Sequence, residues 1–130
     1  MRILQPAGWP RPKGYSNGIS AQGRIIVTAG VVGWTAEEKF EAKDLAGQFR
    51  QLLINTLAIL AEDGAGPEHI VRMSCYVTDV AEYRASVKAI GAAWRELMGR
   101  NFPAMAVVGV TGLVEPQARI EIETIAVVPE

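Results

Sequence analysis

Two hydrophobic periodicities divide this chain. Between Asp44 and Glu62, the positions Leu45, Phe49, Leu52, Leu53, Thr56, Leu57 and Leu60 recur at spacings of three and four. That spacing gathers them into one stripe of a helix over 44–62. Asp44 or Lys43 opens it, and Gly64-Ala65-Gly66-Pro67 closes it with glycine followed by proline. Tyr83, Val87, Ile90, Trp94 and Leu97 form a second stripe and predict a helix over 81–98, ended by Gly99. Ile70 to Val77 instead has period two, with Val71, Met73, Cys75 and Val77 on one face of a strand. Met105 to Val110 and Ala118 to Val128 are two further strands, joined by a turn over 112–116. Residues 5–18 are rich in proline and glycine and read as a loop. Ile19 and the β-branched run Arg24–Ala29, on either side of Gln22-Gly23, read as a hairpin that Gly30 and Gly33 end.

The order β-β-α-β-α-β-β predicts an α+β domain with two helices on one face of a mixed sheet. Residues 1–130 form one domain of ordinary length. A chain of this size buries roughly two thirds of its unfolded surface and needs no covalent staple. In the last strand, Ile120 and Ile122 alternate with Arg119, Glu121 and Glu123. The isoleucines are expected to face the helices, leaving the charges on the opposite face. Met105, Val107 or Ile26 joins them there, depending on register. A partly apolar sheet face without a third layer predicts oligomerisation.

Composition narrows the function classes. The net charge is −1 and no run of Lys or Arg stands out, which argues against electrostatic binding of nucleic acid. Cys75 is the only cysteine and His69 the only histidine, so neither a disulfide nor a standard Cys/His zinc site is expected. Cys75 on the apolar face of its strand reads as buried and inert, and His69 as a surface residue. The first residues show no signal-like pattern, and no apolar run approaches 18 residues. The expectation is a cytoplasmic protein that does not contact a membrane.

Six short segments, in this order and spacing, resemble the RidA/YjgF family over nearly the whole chain. They are Gly14-Tyr15-Ser16-Asn17, Val27-Thr28-Ala29-Gly30, Gln48 with Asn55 to Leu60, Gly64-Ala65 through Thr78-Asp79, Phe102-Pro103-Ala104, and Ile120-Glu121-Ile122-Glu123. The resemblance implies a chorismate-mutase-like fold and a homotrimer whose three sheets form a central barrel, with small-molecule clefts between subunits. It also implies hydrolysis of 2-imino or enamine acids to 2-oxo acids and ammonia, without a cofactor or metal. The usual parts are an Arg that clamps the substrate carboxylate, a Glu that positions or activates water, a loop Tyr, and backbone groups beside a Gly.

By this resemblance, Glu121 matches the functional Glu, Tyr15 the loop Tyr and Gly30 the glycine. Each also has a plain structural reading. Glu121 and Glu123 can simply pair with Arg119, Tyr15 can fill a gap, and Gly30 can serve a turn. Met105 is the departure, because the family's Pro-Ala-Arg is Pro103-Ala104-Met105 here. A guanidinium offers a carboxylate two parallel donors and a permanent charge, whereas a thioether offers a soft apolar contact. Losing such a buried pair costs about 2–5 kcal/mol of binding. The candidates for a replacement cation are Lys88, Arg100 and Arg119. Lys88 falls at the family's usual cleft Asn, or Val87 does if the alignment slips by one. Val31 stands where the family has Gln, and Val107 where some members carry Cys, so the site is more apolar. Trp9 and Trp34, in loops near the predicted cleft, either join Met105 in an apolar pocket or are structural.

Three functions follow. The first is a hydrolase of imine or enamine C–N bonds with altered specificity, and the second a non-catalytic binder of a small metabolite. The third is a holdase or stress protein. A free Glu121 beside a neutral pocket favours the first. Glu121 locked onto Arg119 favours the second. The ribonuclease label carried by some relatives has little support, since the chain is near neutral and lacks a His pair.

Overall fold

The computed structural model describes residues 1–130. In chain order the elements are β1 (Arg2–Ile3), β2 (Ile19–Ser20), β3 (Arg24–Val27), β4 (Val31–Val32), α1 (Leu45–Ala61), a 3₁₀ turn (Pro67–His69), β5 (Ile70–Val77), α2 (Val80–Ala85), α3 (Val87–Met98), β6 (Ala104–Gly109) and β7 (Ile120–Val128). The main sheet runs β3-β7-β5-β6, with β4 also pairing to β7. β5 and β6 are parallel and the other pairs antiparallel, so the sheet is mixed and the architecture α+β. No helix is long and apolar enough to cross a membrane.

The apolar stripe of α1 lies against the sheet. Leu45, Phe49, Leu52, Leu53 and Leu60 are buried in one cluster with Met73, Cys75, Val77, Ile120 and Ile122. Asp44 starts the helix by accepting the Gly47 N–H at 3.3 Å, which satisfies one of the unpaired donors of the first turn. Gln48 is a polar residue inside this core. Its Nε2 donates to Gln117 O at 3.0 Å and to Ala42 O at 3.3 Å, and its Oε1 accepts the Arg119 N–H at 2.8 Å. With both ends of the amide occupied, its burial is compensated and the approach to β7 is fixed. At Gly33 a Cβ would stand 2.2 Å from the Gln48 carbonyl oxygen, so only glycine lets the chain after β4 pass this close to α1.

The structure corrects four sequence expectations. Ile19–Ser20 pairs with Arg2–Ile3 rather than forming a hairpin with β3. Gly23, at φ +146°, packs its Cα against the Val128 carbonyl and sends β3 onto β7 instead. The helix expected over 81–98 is two helices. At Ser86 the hydroxyl donates to Glu82 O at 2.7 Å and the backbone N–H to Tyr83 O, and the first helix ends. Val71 drops out of the β5 alternation because the pairing with β7 shifts register between Ile70 and Arg72, putting Ile70 with Met73 in the core. Finally, Ile26 and Met105 pack on the helix side. The apolar residues sharing the open face with Glu121 and Glu123 are Ile25, Val27, Val108 and Ile125, all exposed.

Candidate functional site

Glu121 owes its position to the period of β7. Ile120 and Ile122 turn into the core at 0% exposure, so Glu121 projects from the open face opposite Tyr76 of β5. Gly30, just before β4, lies directly against its carboxylate. A Cβ on Gly30 would stand 2.4 Å from Glu121 Oε2, so this position admits no side chain without moving the carboxylate. The neighbouring acid is occupied, since the Tyr76 phenol donates to Glu123 Oε1. That hydrogen bond is the main cause holding the Tyr76 phenol above its ordinary range, with desolvation and the charges of Glu123 and Glu121 adding to it and Arg72 opposing. Glu121 itself has no hydrogen bond or ion pair within the chain.

Arg119 does not reach Glu121. Its Nη1 pairs with Glu82 Oε1 at 2.8 Å and its Nε donates to the Lys43 carbonyl at 2.8 Å. The side chain therefore ties the start of β7 to α2 and to the segment before α1. Val31 pairs with Ile122, is buried in the core and also lines the cleft beside Gly30. That cleft, about 370 Å³, is walled by Trp34 and Asn55 among others. Asn55 Nδ2 donates to Val32 O at 3.1 Å and to Trp34 O at 2.7 Å, holding the loop after β4 on α1.

Met105 belongs to a second cluster. It sits beside Met73 on the edge strand β6, faces the helices, and lines a cleft of about 350 Å³ under α3 with Phe102 and Trp94. Ser16 brings the N-terminal loop to the same place. Its N–H donates to Pro103 O at 3.0 Å and its hydroxyl to Phe102 O. Gly14 consequently lines the cleft, while Tyr15 is 43% exposed beside it with no intrachain partner for its hydroxyl. Val87 lines this cleft and Lys88 does not; Lys88 and Arg100 are both exposed. Trp9 is exposed and Trp34 lies in the other cleft, so neither joins Met105.

Sequence reasoning missed three residues here. Ser16 stands out in the sequence only as part of a motif, Trp94 falls on the apolar stripe of a helix, and Arg95 lies off that stripe. A 3.6-residue period marks an apolar face but cannot tell a core wall from a cleft wall. Cys75 is buried, and desolvation pushes its thiol up to about 12, which leaves it unreactive.

Within one chain the two clusters stay apart. β6 and β7 are separated by β5, about 10 Å across at ordinary strand spacing. Met105 also faces the helices while Glu121 faces away from them.

A sequence model of the family described as endoribonuclease L-PSP matches residues 10–128. The chain belongs to the RidA/YjgF family. Among RidA/YjgF relatives, the chain is 33% identical over 113 residues to a protein of Escherichia coli named 2-iminobutanoate/2-iminopropanoate deaminase, covering 87% of this chain and 86% of that one. A Rid-family protein of Yersinia pestis, YyfB, superposes with a TM-score of 0.85 at 30% identity over 98% of each chain. The YjgF product of E. coli superposes with a TM-score of 0.70 at 28% identity, again over 98% of each. The family's α+β fold is thus the fold of this chain.

Proposed function

We propose that this RidA/YjgF protein is a homotrimeric hydrolase of imine or enamine C–N bonds whose specificity is altered by Met105. The observation that carries this reading is the free carboxylate of Glu121 lying against Gly30. Arg119, the one residue expected to lock it, is bound to Glu82 instead. A carboxylate with no intrachain partner, on an otherwise partly apolar face, is available to take a proton from water. The water oxygen then bonds to the imine carbon and the C=N electron pair takes up a proton at nitrogen. The carbinolamine then passes its hydroxyl proton, by way of Glu121, to nitrogen and collapses to the carbonyl as the C–N bond breaks and ammonia leaves.

The separation of the two clusters supports assembly. Gly30 with Glu121, and Tyr15 with Met105, each make half of a cleft, and a neighbouring copy would supply the other half. The exposed Ile25, Val27, Val108 and Ile125 give such a copy an apolar surface to cover. The name of the E. coli relative supports the reaction class. Met105 argues for a different substrate within that class, since a thioether cannot clamp a carboxylate.

The test is hydrolysis of imines generated in situ from amino acids by an oxidase, followed by trapping of unhydrolysed imine with semicarbazide. Wild type is expected to outpace buffer, and Glu121→Ala to return the rate to buffer level. Wild type that binds product analogues but accelerates no imine would replace this reading with the non-catalytic binder.

A further inference from the structure

The cleft beneath α3 is chemically lopsided. Its walls are apolar: Phe49, Val87, Ile90, Trp94, Phe102 and Met105 face it. The Trp94 and Phe102 rings lie nearly parallel, 5° apart with centroids at 6.2 Å, and Phe49 backs Trp94 at 6.3 Å and 18°. Together they form an aromatic slab of stacked rings, in which Phe49 and Trp94 are buried and Phe102 is the exposed ring. The Trp94 indole N–H is already used by Asn101 O at 3.1 Å, so the slab presents ring surface and no donor of its own.

A single charge stands on this cleft, the guanidinium of Arg95, and no acidic residue lines it. The chain's four ion pairs use Arg24, Arg50, His69 and Arg119, and Glu96 beside Arg95 is taken by Arg50. Arg95 is therefore left without a partner. Its Nη1 lies 3.6 Å from where a Cβ on Gly91 would stand, so the side chain folds back along α3 toward the cleft. Tyr83, also on the cleft wall, has a phenol that forms no hydrogen bond within the chain. Burial, chiefly, keeps that phenol protonated above its ordinary range and so able to donate. The volume, about 350 Å³, falls in the range of small-molecule sites.

We propose that this cleft takes a small monocarboxylate with a flat or bulky apolar body, the body lying on the Trp94–Phe102 slab and the carboxylate on Arg95. The two parts divide the work. An exposed ion pair alone adds little affinity, so a short polar acid gains almost nothing here. An apolar body supplies most of the binding, and the guanidinium selects the acid over its neutral counterpart. This makes Arg95 the specificity-determining cation that Met105 no longer provides, reached from the helix instead of from β6. Small 2-imino acids would leave the slab empty, whereas 2-imino acids with aromatic side chains would fill it. As a statement about substrate, this rests on the hydrolase reading above; as a statement about binding, it is measured without turnover.

The experiment is calorimetric titration of the full chain with 3-phenylpropanoate and with its neutral amide, 3-phenylpropanamide. Wild type is expected to prefer the acid by about two- to fivefold. Arg95→Gln should abolish that preference while still binding the amide, which also reports that the variant is folded. Arg84→Gln, removing an exposed guanidinium on α2, should leave the preference unchanged. Wild type that binds both probes equally, or neither, overturns the proposal without any variant. Equal loss of preference in Arg84→Gln overturns the role of Arg95. Acid preference without imine hydrolysis sinks the hydrolase reading and leaves this one standing, and hydrolysis without acid preference does the reverse.

Discussion

At the scale of single residues, the outcome turns on which charged groups are already spoken for. Glu123 is held by Tyr76 and Arg119 by Glu82, and Glu121 is left free. The sequence pattern put Arg119 and Glu121 on the same side of the last strand, but the competing acid, Glu82, lies 37 residues away in the chain. No local reading of spacing could weigh that competitor. The position of Gly30 against Glu121 was likewise invisible locally, although the family resemblance picked out both residues. Cys75 was legible from strand alternation alone. Its thiol, pushed up to about 12 by burial, should resist iodoacetamide at pH 8 in the native protein and react at once in denaturant. The sign of its pH effect is fixed. The folded state favours the protonated thiol, so this contribution to stability is full below the thiol's ordinary value of 9.0 and is lost as pH rises from there through about 12. Rapid labelling of the native protein would contradict the burial described.

Elements were legible where one periodicity ran unbroken. The α1 stripe predicted 44–62 and the helix spans Leu45–Ala61, because nothing in it competes with the backbone. The second helix was not, since its stripe passes through Ser86 without a fault while the Ser86 hydroxyl binds Glu82 O. The period survives a break that a single hydrogen bond creates. The hairpin failed for a different reason: β1 and β7, the true partners of β2 and β3, are distant in sequence. Two substitutions test the polar groups inside these elements. Gln48→Leu leaves the Arg119 N–H and the Gln117 carbonyl without their partner, and should cost about 1–3 kcal/mol in a denaturant titration. Thr124 is buried in β7 with an unpaired hydroxyl. Thr124→Val keeps the shape and removes the unsatisfied group, so it should gain about 1 kcal/mol, or about 3–5 °C in Tm. Loss of stability in Thr124→Val would mean that the hydroxyl does find a partner.

At the scale of the whole molecule, the α+β class and the existence of an uncovered sheet face followed from the alternation of Ile120, Glu121, Ile122 and Glu123. Which apolar residues share that face did not, because a one-residue choice of register decides it. Met105 and Ile26 went to the helix side, and Ile25, Val27, Val108 and Ile125 to the open side. If that open face is the subunit interface, light scattering should return three times the 14.0 kDa chain mass. Val27→Glu, placing a charge on the interface, should shift the mass toward the single chain. A wild type that stays monomeric at working concentration would remove the intersubunit cleft, and with it the two-copy assembly of Glu121 and Met105.

The proposed hydrolase rests on Glu121 activating water and on Met105 changing what the cleft accepts. Hydrolysis rates on 2-iminobutanoate generated in situ, compared for wild type, Met105→Arg and Glu121→Ala, test it most directly. Wild type should turn over weakly and Met105→Arg at least tenfold faster, the guanidinium restoring a charge-assisted grip on the carboxylate. Glu121→Ala should lose turnover, since a positioned general base is worth roughly 10²–10⁴ in rate. Fast wild-type turnover that Met105→Arg does not improve and Glu121→Ala does not diminish would contradict the roles of both residues.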